Sequence, residues 1–243
     1  MKPKGLLMRV GIDQTFGQYN APINPVNNDF IYLPIPQSIE DFENGKSTNY
    51  QQITGHFDNW CKNNNASLDF PKHLLGKGTH LDPDFDNLTY GDQATGRGLR
   101  VKELQKGDFI VFFGSFKPIS PSPHNLIYAI FGIMFVDKVM KVADISPDEF
   151  HLNAHTRIIQ KNQEHLVVFA TPNSSGRLKK ALTIGERREG TYRVSNEILD
   201  AWGGLGVKNG FIQRSVCPPW FSNPSKFLTW FEHQKTEITI GNW

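Results

Sequence analysis

Apolar residues along this chain gather in short, dense runs separated by Gly, Pro, Asn and Asp, a pattern of strands and turns more than of long helices. Residues 5–12 and 29–34 read as strands on either side of a polar loop that carries Gly17, Pro22 and Pro25. Pro34 and Pro36 then forbid a continuous central strand, because a prolyl nitrogen donates nothing to a ladder. The strongest β signal follows Gly107-Asp108. Residues 109–113 and 126–136 are apolar runs joined by a Pro-rich turn at 118–124, which predicts an antiparallel pair. The second run is shorter than the ~18 residues a membrane span needs, and its β-branched and aromatic residues around Gly132 favour a buried strand. A further short strand is expected at 167–170.

Helical signals are fewer. Short helices are expected around 50–62, at 178–182 and at 197–202. Asn223-Pro224 offers a cap and a prolyl first turn for a C-terminal helix whose Phe227, Leu228, Trp230 and Phe231 share a face. Residues 39–65 are polar and Asn-rich. Residues 76–100 form a long Gly- and Asp-rich segment, in which Asp alternates with apolar residues from 81 to 90, as in an ordered loop. The pattern predicts an α+β fold: a strongly bent, mostly antiparallel sheet or small barrel with a few peripheral helices. One domain over 1–243 is expected, with a polar insertion at about 39–100 and a C-terminal helical extension at about 195–243.

A chain of 243 residues with 38% hydrophobic content can bury a substantial core. Its net charge of +2 excludes a strong overall field for nucleic acid, yet charge is unevenly placed. Residues 37–92 are acidic. Residues 177–193 carry Arg177, Lys179, Lys180, Arg187, Arg188 and Arg193, a stripe suited to phosphate or simply to solvent. Cys61 and Cys217 lie far apart, so no disulfide framework is expected, and no apolar leader opens the chain. These features point to a cytoplasmic protein without a membrane span.

Candidate chemistry begins with three Gly–Asp marks at strand edges: Gly11-Ile12-Asp13, Gly91-Asp92 and Gly107-Asp108. Gly admits a close approach or a turn, and Asp supplies an acceptor or a base. Gly107-Asp108 reads as a turn that launches a strand. Asp13 and Asp92 are the candidate catalytic carboxylates, with His155 or His124 as proton partner. His151 and His155 have the spacing of two zinc ligands on one helix face, but Leu152 stands where a metalloprotease has Glu and no third ligand is evident, so no metal or cofactor is expected. Asn153-Ala154-His155-Thr156-Arg157 groups an amide, an imidazole and a guanidinium that can read a base edge, or alternatively cap and ion-pair locally. Tyr90, Asn153 and Arg157 are the candidate base-contacting residues. Residues 173–178 read as a turn opening a helix, where Ser175, Arg177 and Lys179 are candidate phosphate contacts. Simple helix capping is the rival reading.

Blocks of the chain resemble a known family: Leu7-Met8-Arg9-Val10-Gly11-Ile12-Asp13, Phe30-Ile31-Tyr32-Leu33-Pro34-Ile35-Pro36, Thr89-Tyr90-Gly91-Asp92, Gly107-Asp108-Phe109-Ile110-Val111-Phe112-Phe113, Asn153-Ala154-His155 and Ser175-Gly176-Arg177-Leu178. Their order and spacing are similar to the third class of nucleotide modification associated domains, over about residues 4–182. The resemblance implies a prokaryotic or phage protein encoded beside enzymes that handle modified DNA bases. The family's proline block often ends in Glu, where this chain has Gln37. The strand after Gly107-Asp108 and the run into Gly132-Ile133-Met134 resemble, at the level of fold, the PUA-like barrels that read modified bases. The expected function is recognition, with or without processing, of a modified nucleobase or nucleotide in a DNA-modification or defence system. Its expected partner is nucleic acid or a modified nucleotide, with DNA-modification enzymes as a further partner. Alternatives are a glycosidic hydrolase and a non-catalytic module binding through residues 39–65 and Trp220, Phe221, Trp230, Phe231 and Trp243.

Overall fold

The computed structural model describes residues 2–43, 46, 48–213 and 217–243. In chain order its strands are β1 (Gly5–Arg9), β2 (Pro22–Asn24), β3 (Asp29–Phe30), β4 (Ile35–Gln37), β5 (Gly78–His80), β6 (Thr89–Asp92), β7 (Phe109–Pro118), β8 (Ile127–Lys141), β9 (Leu166–Ala170), β10 (Gly176–Thr183), β11 (Gly185–Arg188), β12 (Thr191–Val194) and β13 (Ile238–Thr239). Its α-helices are α1 (Tyr50–Asn63), α2 (Ala154–Arg157), α3 (Asn196–Trp202) and α4 (Pro224–His233).

The expected antiparallel pair, β7 with β8, is the centre of a mixed α+β fold. Among the described residues, nine strands form one strongly curled, half-barrel sheet. β1 and β2 run parallel to β7 along its outer edge, and β8 carries β10 and β9 antiparallel. The curl has a local cause. Phe112 pairs with Gly132 and Phe113 with Ile130, so Phe131 is an extra residue in β8, and a second register shift lies between Val136 and Lys138. Such bulges bend a strand and raise its twist. Gly5 lets β1 lie close to β7, since a Cβ there would stand 2.2 Å from the Phe109 ring.

The sheet is apolar on both faces, which explains the unbroken apolar runs of β7 and β8. Leu6, Met8, Ile110, Phe112, Phe131 and Met134 point to one core, while Leu7, Phe109, Val111, Phe113, Ile130 and Ile133 point to the other. The first core is completed by Tyr50, Ile53, Phe57 and Trp60 of α1 and by Phe85, Leu88 and Tyr90. The second is completed by Trp202, Phe221, Phe227 and Phe231 from the C-terminal segment. The polar insertion and the C-terminal extension are therefore the two lids of the sheet. α1 begins with a reciprocal capping box between Asn49 and Gln52, and Asn223 caps α4 as expected.

Four local expectations are corrected. Residues 178–182 belong to strand β10, because Leu178 and Ala181 are needed in the two cores and β8 offers a free ladder edge. The turn at 173–175 thus opens a strand, so no helix N-terminus exists there for an anion. Residues 31–34 pair with no strand; only Asp29–Phe30 does. The C-terminal aromatics proposed as an interface pack inward: Phe221 and Phe231 are buried, Trp220 and Trp230 are partly buried against the cores, and Trp243 donates from Nε1 to Tyr32 O at 2.9 Å. Residues 78–92 hold two strands rather than a loop. No helix among the described residues is long and apolar enough to cross a membrane.

Candidate functional site

The insertion folds back into the curl of the sheet, and Phe85 is its anchor. Its ring crosses β8 at Gly132, where a Cβ would sit 2.4 Å from the ring. This fixes the preceding segment, so that Asp82 and Asp84 are drawn inside. β4 and β5 pair antiparallel, with His80 opposite Ile35, which sets Gln37 on the same face as His80. Gln37 Oε1 lies 2.9 Å from His80 Nδ1 and accepts its proton. β6 pairs with β9, and α2 packs over β6. That packing requires Gly91: a Cβ there would fall 2.2 Å from His155 Cδ2 and 2.5 Å from Asn153 Oδ1. Asn153 caps α2 by accepting from His155 N at 2.9 Å, which aims the His155 ring at Asp82.

Around Asp82 the groups converge. The Gly91 amide donates to Asp82 Oδ1 and Oδ2 at 2.8 and 3.0 Å, and Asn153 Nδ2 stands 3.4 Å from Oδ1. Asp82 Oδ2 faces His155 Nε2 at 3.4 Å and His80 Nε2 at 3.7 Å. His155 Nδ1 meets His165 Nδ1 at 2.8 Å. Tyr90 donates its hydroxyl to Asp92 Oδ2 at 3.1 Å, and the Ala94 amide donates to Asp92 Oδ1 at 2.8 Å. Gly98 makes room for that carboxylate, because a Cβ there would overlap Asp92 Oδ1 at 1.3 Å.

Burial governs the charges. Desolvation pushes Asp82 up to about 7, against the pull of His80 and the Gly91 amide. The same effect pushes His155 down to about 4, and His80, whose side chain keeps 21% exposure, also to about 4. The two imidazoles are neutral at physiological pH and present lone pairs. The Tyr90 phenol is held well above its ordinary range by burial and then by Asp92 beside it, so it remains a donor.

Of the residues expected from the sequence, Tyr90, Asp92, Asn153, His155 and Arg157 lie in or beside this cluster. Asn153 is 1% exposed and its amide is bonded within the protein, including to Thr89 Oγ1 at 3.1 Å. Arg157 is buried, ion-paired with Asp84, and donates from Nε to His151 O at 2.7 Å. Asn153 and Arg157 therefore build the site from behind. Asp13 lies elsewhere. Its carboxylate accepts from Arg9 at 2.7 Å and from the Thr15 and Phe16 amides at 2.7 and 2.8 Å, and none of these bonds reaches Asp82, Asp92 or His155. His124 sits over Tyr192, with ring centroids 6.2 Å apart. Ser175 Oγ accepts from Phe135 N at 2.9 Å, Arg177 donates from Nε to Gly241 O at 3.2 Å, and Lys179 pairs with Glu237. The His151–His155 helical pair does not form. Asn153 is extended between a 3-10 turn and α2, and exposed His151 faces Asp148 O.

Three members escaped the sequence reading: His80, Asp82 and His165. A signal for the first two existed in His80-Leu81-Asp82, since alternate residues of an extended segment share a face. Nothing local marked His165, which meets His155 only through the β9 turn. A surface depression of about 760 Å³ between α3 and α4 shares no residue with the cluster. No curated protein and no solved structure matches this chain. A family model does, over residues 4–230, a range that holds every member of the cluster: the chain belongs to the family of nucleotide modification associated domain 3.

Proposed function

We propose that this chain recognises a modified nucleobase or nucleotide, within a prokaryotic or phage DNA-modification or defence system, and processes it hydrolytically at the cluster around Asp82. Membership of the family supports the substrate class. The observation that carries the chemistry is the meeting of two carboxylates, Asp82 and Asp92, with the imidazoles of His80, His155 and His165 in one partly water-excluded place. Such groups activate water and supply a proton to a departing group. Asp82 with His80 and His155 is the water-activating centre. Asp92 and His165, nearer the surface, are the proton partners, and Tyr90 holds Asp92 in place.

The test is product analysis by mass spectrometry on a panel of modified nucleotides and modified DNA duplexes. Wild type converts a member of the panel, and the mass of the product identifies the bond: a free base means a glycosidic bond. Asp92→Asn and Asp82→Asn abolish conversion, while Asp13→Asn leaves it unchanged. Conversion that survives both of the first two substitutions removes this cluster from the chemistry. A second reading, recognition without bond breaking, is favoured by the β11–β12 hairpin, where Arg187 is exposed on one face and Arg188 and Arg193, paired with Glu186 and Glu189, share the other. Tight, salt-sensitive binding to modified DNA with no product is the result that selects it.

A further inference from the structure

The geometry points to a divalent first-row transition-metal ion, held by His80 Nε2, Asp82 Oδ2 and His155 Nε2. These three atoms lie within 4.8 Å of one another. An ion bound at 2.0–2.2 Å sets neighbouring ligand atoms roughly 3.0–3.5 Å apart in tetrahedral or octahedral geometry. The separations of 3.4 Å from His155 and 3.7 Å from His80 to Asp82 come close to that range. Neither contact with Asp82 is a formed hydrogen bond, and among the described residues no hydrogen bond to another partner is made by either Nε2. Three atoms able to donate electron pairs are thus drawn around one point without bonding to each other.

Each prospective ligand is also oriented from behind, as metal ligands are. His80 donates from Nδ1 to Gln37, which leaves Nε2 bare. His155 Nδ1 is bonded to His165 Nδ1, and in the tautomer where His155 donates its Nε2 is bare as well. The Asp82 carboxylate is fixed by the Gly91 amide and by Asn153. Two imidazoles and one carboxylate suit zinc, iron(II), manganese or cobalt better than calcium or magnesium, which prefer oxygen alone. Three protein ligands leave positions for water or substrate, and an ion there lowers the pKa of bound water. The metal site stands on geometry alone; only its use on a nucleotide rests on the function proposed above.

The experiment uses untagged, chelator-stripped full-length protein and cobalt(II) as the probe. Visible d–d bands that saturate at one equivalent are expected, and excess zinc chloride should displace them. His80→Ala and Asp82→Asn weaken binding by at least about 100-fold, while His151→Ala leaves it unchanged. Should the ligand variants fail to fold, Gln37 at the partly exposed edge decides: Gln37→Leu weakens binding about tenfold and Gln37→Glu, which keeps the acceptor, restores it. No saturable cobalt spectrum in wild type, or full binding in both His80→Ala and Gln37→Leu, overturns the site. Metal bound without nucleotide conversion sinks the proposed function and leaves the site. Conversion by metal-free protein leaves the function standing and removes the ion from its chemistry.

Discussion

At the scale of single residues, two glycines decide how near the chemistry is drawn together. Gly91 and Gly98 carry no Cβ, and the space this leaves holds the His155 ring and the Asp92 carboxylate. Gly91→Ala forces His155 and Asn153 off β6 and is expected to cost about 1–3 kcal/mol, as over-packing does. It should also remove cobalt binding. Gly55→Ala, on the exposed face of α1 with nothing within 4 Å, is expected to stabilise by about 0.5–1 kcal/mol instead. Urea unfolding of the two variants checks the opposite signs. Arg157 is the third decisive residue. Asp84 is 0% exposed, so Arg157→Ala leaves a buried carboxylate without its cation and should destabilise by about 3–5 kcal/mol. If Arg157 instead faced ligand, its loss would reduce binding and leave the unfolding midpoint in place.

Elements differ in how much of their form their own residues dictate. α4 is locally specified by the Asn223 cap, Pro224 and an apolar face, and Asn223→Ala is expected to lower stability by about 1 kcal/mol. β10 is the contrary case. Its residues Leu178 to Leu182 suit a short helix in isolation, yet two ladder partners, β8 and β13, and demand from both cores make it a strand. β5 and β6 were hidden for a related reason. They are short, each carries a Gly, and they become strands only because β4 and β9 supply partners. The helix start expected at residues 173–178 is a strand start for the same reason.

For the whole molecule, the insertion and the C-terminal segment are the halves of one enclosure, each sealing a face of the curled sheet. They also touch. Asn242 accepts from Phe85 N at 2.8 Å and donates to Asp84 at 3.0 Å, so the end of the C-terminal segment braces the segment that carries Asp82. Metal bound only by the folded chain must raise its stability, by about 2.7 kcal/mol when free metal is 100 times Kd. Differential scanning calorimetry with and without zinc should show an upward shift in Tm that Asp82→Asn lacks.

The central pair, the helix at α1 and the α4 cap were legible from the order of residues, because each rests on local periodicity or capping. Tyr90-Gly91-Asp92 and Asn153-Ala154-His155 were also marked, because their residue types advertise polar chemistry, and the fold brings both blocks to the cluster. The site itself was not. His80, Asp82, His155 and His165 are far apart or unremarkable along the chain and meet because Phe85 is seated over Gly132 and α2 lies on β6. Contacts of that range depend on packing and on glycines at crossing points, which no local pattern encodes. Asp13 shows the converse: it carries the same Gly–Asp mark as Asp92, and only the fold separates the carboxylate that shapes a turn from the one that stands beside the imidazoles.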